Sequence, residues 1–379
     1  MAKKIKIIRA CTVSQSVGFF VGMIPDLHEQ GYEVVAVSSD GPELQRVRDA
    51  GARAITVEMQ RHISLLKDLK SLWQMIKVFC KEKPQMVHSM TPKAGLICMM
   101  AGKLTGVPVR VHMFTGLVFP TSTGLKRRIL MATDWLTCAC ATHVIPEGEG
   151  VKRDLLNNGI TKKPIKVLGY GNCRGIDLER FDRTPEITAE AARIHQDNTF
   201  TFISIGRLVG DKGINELVEA FVRLNKELPD TRLILVGRYE PDLDPIKPET
   251  IKSIEGNDAI HAVGQQSDVR PWLAASDCNI LASYREGFPN VVIEAGAMGL
   301  PQIVTDINGA NEIVIEGKNG TIVPPKDSDA LYNAMKRMAT DKQWRDSLAA
   351  NARPLIASRY EQSFVRQSLY NFYSEIIPK

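Results

Sequence analysis

The chain has 379 residues, 44% of them hydrophobic and 24% charged, with a formal net charge of +5. That is ordinary globular composition in a chain too long for one typical core, so two domains are expected and a disordered or fibrous protein is excluded. The charge is uneven: residues 1–180 hold 26 Lys/Arg against 15 Asp/Glu, and the remainder holds 22 against 28. Such a basic first half is either a solvated surface or a face for an anionic membrane or a phosphate-bearing acceptor. No interleaving of aromatic and basic residues favours nucleic acid. Seven cysteines, an odd number, lie scattered through apolar runs without a CxxC pair. Reduced thiols in a cytoplasmic protein are the expectation, not a disulfide framework or a zinc site. The basic start at Lys3 and Lys4 precedes too short an apolar run for a signal peptide. The longest apolar region, about 129–146, carries Asp134 and His143, so no transmembrane helix is expected.

Along the first half, strand-like runs alternate with helical periodicity. Strands are expected at 5–10, 33–38, 53–57, 86–89, 109–113, 143–146 and 165–168, with helices at 17–30, 42–50 and 65–83. The last of these is strongly amphipathic, its apolar face being Leu65, Leu69, Leu72, Trp73, Ile76 and Phe79 or Cys80, its other face lysine-rich. Alternation of this kind predicts a parallel sheet covered by helices on both faces. No GxGxxG follows the first strand, which counts against a dinucleotide-binding dehydrogenase. Residues 175–198 read as a polar, helix-poor linker. A second alternation follows, with strands at 199–205, 232–236, 278–283, 302–305 and 321–323. Helices are expected at 214–228, 268–275, 289–298 and 327–339. The last helix, about 361–377, is free to return to either half. Two similar α/β halves place a ligand cleft at the carboxyl ends of the strands.

Two loops of the second half carry chemistry. After the strand ending at Ile205 stands Gly206-Arg207-Leu208-Val209-Gly210-Asp211-Lys212-Gly213, a glycine-rich turn with two cations before a helix, suited to a diphosphate. It is no Walker A loop, since Ile214 stands where a magnesium-holding Ser/Thr would be. The plainer reading is a surface turn with Asp211 as cap. After the strand ending near Ser283 stands Glu286-Gly287-Phe288-Pro289-Asn290, with Pro289 suited to a first helical turn. Glu294 then lies on an otherwise apolar helix, where a carboxylate needs hydrogen-bond donors. Asp242-Leu243-Asp244 has the spacing of a metal-binding acid pair but lies in a Pro-rich loop. His28, His62, His143, His195 and His261 have no ligand spacing and read as structural.

These residues resemble glycosyltransferase family 4, retaining nucleotide-sugar enzymes of the GT-B architecture, and within it the bacterial capsule, O-antigen and lipopolysaccharide transferases. The carrying motifs are Gly206-Arg207 through Lys212-Gly213 and the E-x7-E pair Glu286 and Glu294. Supporting stretches are Val263-Gly264, Gly299-Leu300-Pro301, Gly309-Ala310-Asn311-Glu312 and, in the first half, His88 through Gly95 and Gly175-Ile176-Asp177. The resemblance implies two Rossmann-like doubly wound domains facing each other across a cleft. These would be an acceptor-side domain at 1–180, open to completion by 361–379, and a donor domain at 198–358. It implies that Arg207 and Lys212 neutralise the donor diphosphate and that Glu294 binds the ribose. Glu286 and the Gly287–Asn290 backbone would hold the sugar and distal phosphate. Further contacts to donor or acceptor fall on Ser16, Gly18, His88, Lys93, Thr115, Gly116 and Val263. Thr115 stands where many members carry a His. The implied reaction is retaining and metal-independent, moving a hexose or N-acetylhexosamine from a UDP-linked or similar donor to a saccharide or polyprenyl-linked saccharide at the inner membrane face. An epimerase of the same architecture and a non-catalytic nucleotide-sugar binding protein are the alternatives.

Overall fold

The computed structural model describes residues 4–60, 64–240 and 244–377, so His62 and Asp242 lie outside the described residues. Two compact units emerge, one of Met1–Arg174 with Ser363–Lys379, the other of Gly175–Gln362. In unit 1, β1 (Ile5–Ala10), β2 (Tyr32–Ser38), β3 (Arg53–Thr56), β4 (Met86–Met90), β5 (Val109–Phe114) and β6 (His143–Pro146) form a parallel sheet in the order β3-β2-β1-β4-β5-β6. Its central strands are buried on both sides because helices cover both faces. One face carries α1 (Ile24–Glu29), α2 (Leu44–Asp49) and the C-terminal helix (Gln362–Ile376), packed around Ile7, Phe20, Leu27, Val47 and Tyr373. The other carries α3 (Leu65–Glu82), α4 (Pro92–Leu104), α5 (Gly124–Cys140) and α6 (Glu149–Asn157), packed around Ile8, Met75, Phe79, Ile97 and Leu155.

Unit 2 opens with α7 (Pro185–Ile194) and runs β7 (Phe200–Ile205), α8 (Ile214–Glu227), β8 (Thr231–Val236), α9 (Pro248–Glu255), β9 (Ile260–Ala262), α10 (Arg270–Ala274) and β10 (Cys278–Leu281). It continues with α11 (Asn290–Ala297), β11 (Gln302–Thr305), α12 (Ala310–Ile313), β12 (Gly320–Val323), α13 (Ser328–Thr340) and α14 (Lys342–Tyr360). The sheet is again parallel and six-stranded, in the order β12-β11-β10-β7-β8-β9.

Several local expectations give way. The helix expected at 17–30 is two short 3-10 turns, Ser14–Phe19 and Val21–Met23, before α1 begins. Pro25 near the start of α1 has no amide to extend a ladder backward. The run 165–168 joins no sheet; Ile165 and Leu168 pack instead against the two opposite core layers. The supposed linker contains α7, whose Thr184 hydroxyl accepts the Ile187 amide at 3.3 Å with Pro185 just inside. Those are the usual helix-start residues. Pro289 caps α11 from outside, at φ −71° and ψ 106°, instead of forming its first turn.

The largest departure concerns α3. It buries Ser71, Met75, Phe79 and Glu82, and Leu72 and Ile76 of the expected face pack beside them, while Leu65, Leu66, Leu69 and Trp73 are 77%, 82%, 62% and 57% exposed. Polar anchors set this rotation. Ser71 donates to the Lys67 carbonyl at 2.8 Å and to that of Glu58, Glu82 accepts from Arg53 at 2.6 Å and Lys6 at 3.0 Å, and Asp68 accepts from Lys93 at 2.6 Å. Turning the apolar stripe inward would strip these groups of partners, each at a cost of about 1–3 kcal/mol.

A buried polar knot ties the C-terminal helix to unit 1. Arg9, 1% exposed, donates to the Tyr373 hydroxyl at 2.6 Å and packs over the Phe20 ring at 5.0 Å. The same hydroxyl lies 2.5 Å from His88 Nδ1. Burial, and then Arg9, pushes His88 well below its ordinary pKa. The ring is therefore neutral, and one hydroxyl serves both the Arg9 guanidinium and the imidazole Nδ1. Tyr373→Phe leaves both groups short of a partner and should destabilise the fold by about 1–3 kcal/mol, seen as an earlier urea midpoint. Asp134, buried on α5, is raised from 3.8 to about 7 by desolvation. Its native carboxyl thus holds a proton that the unfolded chain has released, and stability falls as pH rises from about 4 to 7. Asp134→Asn should remove that contribution, so the variant's urea midpoint should exceed the parent's at pH 8 by more than at pH 4.

Candidate functional site

In unit 2 the sheet winds outward in two directions, from β7 through β8 to β9, and from β10 through β11 to β12. The helix after β7 therefore packs on one face and the helix after β10 on the other, as the separate cores around Leu217 and Val292 show. Adjacent strands whose connections part in this way leave a crevice at their carboxyl ends, the usual binding place in such sheets. The loops 206–213 and 282–289 lie there.

Glycine lets these loops touch. At Gly213, with φ +67°, a Cβ would stand 2.0 Å from the Ala282 carbonyl oxygen. A Cβ on Gly309, at φ +75° in the loop after β11, would come within 2.4 Å of the Gly287 oxygen. The Asp211 carbonyl accepts the Tyr284 amide at 2.8 Å, and its carboxylate accepts from Arg285 at 3.2 Å. Asp211 therefore joins the two loops instead of capping a turn. Asp244 does the capping, taking the Asp211 amide at 2.6 Å on its carboxylate and the Gly210 amide at 3.0 Å on its carbonyl.

The charged side chains come together across these loops. Lys212 Nζ bonds Glu286 Oε1, which also accepts from the Ser283 hydroxyl at 2.9 Å. Arg207 donates to Glu240 Oε2 at 2.8 Å, and Arg238 to Glu240 Oε1 at 2.9 Å. Hydrogen bonds from Arg207 first, then Arg238, hold the Glu240 carboxyl below its ordinary range. Sequence reasoning missed Glu240; its only signal was its place shortly after a strand next to β7. Gly206 leads the first loop, where a Cβ would meet nothing within 4 Å. Phe288 turns into the core, edge-on to Tyr360 with ring centroids 5.6 Å apart, so this residue offers the site its backbone. Pro289 and Asn290 bring the α11 N-terminus to the same edge, and Glu294 is half-buried one turn further along. Val263 follows β9, its amide on the Leu235 carbonyl at 3.0 Å, and Gly264 accepts the Gly237 amide at 2.9 Å.

The other candidates belong to unit 1, whose sheet has the same reversal between β1 and β4. Ser16 and Gly18 are half-buried in the 3-10 turn after β1, and the space beside Gly18 is open to 4 Å. Thr115 and Gly116, the latter at φ +126°, follow β5 and are half-exposed at the carboxyl edge. His88 and Lys93 are not brought to that edge as free groups. The first is inside the knot with Tyr373, and the second is held by both carboxylate oxygens of Asp68 at 2.6 Å. Two residues that sequence reasoning passed over stand at the reversal itself. The Thr12 hydroxyl lies 2.7 Å from that of Thr91 and accepts the Ala94 amide at 3.2 Å, while Thr91 adopts φ +71°. Among the described residues no group of three or more His, Cys, Asp or Glu is placed to hold a metal.

Comparison with known proteins agrees with this architecture. Residues 187–354 match the family described as glycosyl transferases group 1, and residues 20–171 match a glycosyl transferase 4-like domain. The capsular polysaccharide biosynthesis glycosyltransferase CapM of Staphylococcus aureus is 31% identical over 376 residues, covering 99% of this chain and 98% of that protein. The Escherichia coli UDP-Gal:alpha-D-GlcNAc-diphosphoundecaprenol alpha-1,3-galactosyltransferase is 29% identical over 326 residues, 83% of this chain and 82% of its own. In architecture the chain is similar to Anabaena HepE, solved in complex with UDP, with a TM-score of 0.81 at 20% identity over 98% of this chain and 100% of that one. The lipopolysaccharide glycosyltransferase WaaG gives a TM-score of 0.73 at 16% identity, covering 95% and 98%. The two reversing parallel sheets are those of the GT-B architecture, and the chain belongs to the glycosyl transferases group 1 family.

Proposed function

We propose that this glycosyltransferase moves a hexose or N-acetylhexosamine from a UDP-sugar to a polyprenyl-linked saccharide during capsule or lipopolysaccharide assembly, with retention at the anomeric carbon. The observation that carries the reading is the Lys212–Glu286 pair, drawn from loops of neighbouring strands at the sheet's reversal. The relatives' names supply the acceptor class, a diphosphoundecaprenol-linked saccharide in the Escherichia coli protein and capsule synthesis in CapM.

In this reading Arg207 and Lys212 take the donor diphosphate without a metal. The bond from the anomeric carbon to the diphosphate oxygen breaks with its electron pair on that oxygen, where the two cations stabilise the growing charge. The acceptor hydroxyl oxygen bonds to the same face of the carbon, and its proton passes to the departing phosphate oxygen. Glu286 accepts from the sugar hydroxyls while keeping Lys212 aimed, Glu294 accepts from the ribose, and Glu240 holds Arg207 in reach. The acids thus form a clamp along one donor, each with a separate partner.

Lys212→Ala and Glu286→Ala should each lower donor turnover by about 10²–10³-fold. Parent rates in both would remove these residues from the site. Gly213→Ala, which forces a Cβ against the Ala282 carbonyl, should weaken UDP binding in calorimetry; unchanged affinity would mean that the two loops need not touch. NMR of the product from an α-linked donor should show an α linkage, and a β linkage would overturn retention.

A further inference from the structure

The outward stripe of α3 is surplus to the fold. The inward face of that helix is complete with Met75 and Phe79 in the core and Asp68, Ser71 and Glu82 on their partners. Leu65, Leu69 and Trp73, four residues apart, and Leu66 beside them leave a continuous apolar strip over roughly 12 Å of helix. Lys70, Lys77 and Lys81 are exposed along its flank, and Lys77 Nζ lies 3.3 Å from the centroid of the Trp73 ring. The exposed charges of this helix are all cations, because Asp68 and Glu82 face inward. On the same side of the sheet α4 packs against both α3 and α5. From α5, Leu125, Arg128 and Ile129 are also exposed.

We propose that the outward faces of α3 and α5 are a docking surface for an anionic lipid bilayer. The choice of lipid as occupant rests on the acceptor class proposed above. An apolar strip of leucines and a tryptophan with lysines at its flank is the composition of a helix lying in a membrane interface, where apolar side chains enter the acyl boundary and lysines meet phosphate groups. A second copy of the chain fits poorly, since a twofold contact sets the same lysines against one another. Among the described residues no helix is long and apolar enough to cross a bilayer.

The test is co-sedimentation of the full chain with phosphatidylcholine vesicles, with and without phosphatidylglycerol, alongside UDP calorimetry and sedimentation velocity. The parent should bind the anionic vesicles, more weakly at higher salt, and bind phosphatidylcholine poorly. The double variant Lys70→Gln/Lys77→Gln should lose roughly fivefold per lysine on anionic vesicles. The triple variant Leu66→Ser/Leu69→Ser/Trp73→Ser should lose binding to both kinds. All of these side chains are exposed, so UDP affinity should remain at the parent value, which separates this surface from the donor site. Parent-like vesicle binding by the triple variant would overturn the proposal. So would a parent that ignores vesicles, or a parent dimer that the triple variant splits while vesicle binding is absent.

Discussion

The site depends on a constraint of chain winding. Connections between parallel neighbours are right-handed, so a sheet that grows from its middle in both directions must send the helix after one central strand to one face and the helix after the next to the other. In unit 2 those strands are β7 and β10, and the uncovered gap at their carboxyl ends is where Lys212 meets Glu286. Residues 74 apart in sequence become partners because of strand order, not local conformation. Unit 1 repeats the arrangement between β1 and β4, with Thr12 and Thr91 at the junction.

Given that gap, backbone proximity sets the geometry. Gly213 against Ala282, Gly309 against Gly287, and Gly237, whose Cβ would stand 1.7 Å from the Gly206 oxygen, allow four loops to approach where side chains would hold them apart. Each cation is then paired, Arg207 with Glu240 and Lys212 with Glu286, so neither waits as an unpaired charge in a partly closed site. Such pairing preorganises the donors at little reorganisation cost when charge develops on a leaving diphosphate. It also explains how three acids surround a site proposed to bind an anion: Glu240 and Glu286 aim cations, and Glu294 lies on the α11 helix, where the ribose is proposed to bind.

The sheets were readable because buried parallel strands are short apolar runs with glycine or proline at their ends, and nearly all of them appear within a residue or two of their expected positions. Failures arise where tertiary contact overrides local pattern. Residues 165–168 are apolar enough for a strand yet find no free edge, and β9, at three residues, is too short to leave a period. In α3 the expected face is rotated: Leu72, Ile76 and Phe79 pack inward, but Leu65, Leu69 and Trp73 turn out, because Asp68, Ser71 and Glu82 are satisfied inward by Lys93, the Glu58 and Lys67 carbonyls, Arg53 and Lys6. No one-dimensional pattern reveals those partners. In the candidate site, Lys212, Glu286 and Glu294 were visible through glycine spacing and an acid on an apolar helix. Glu240 and the Thr12–Thr91 contact were not, since each is a polar residue in a polar loop whose importance comes from the neighbouring strand. His88 and Lys93 stood in a matching motif, but the structure gives them internal partners, Tyr373 and Asp68.

The central claim is that Arg207 and Lys212 form the diphosphate grip of a nucleotide-sugar site in unit 2. Its most direct test is calorimetric titration of UDP and of UMP, in chelator, against the parent and Arg207→Ala/Lys212→Ala. The account predicts that the parent binds UDP well above UMP without added metal, and that the double variant loses this preference while still binding UMP. Equal affinity of the parent for the two nucleotides, or an undiminished preference for UDP in the variant, would contradict it.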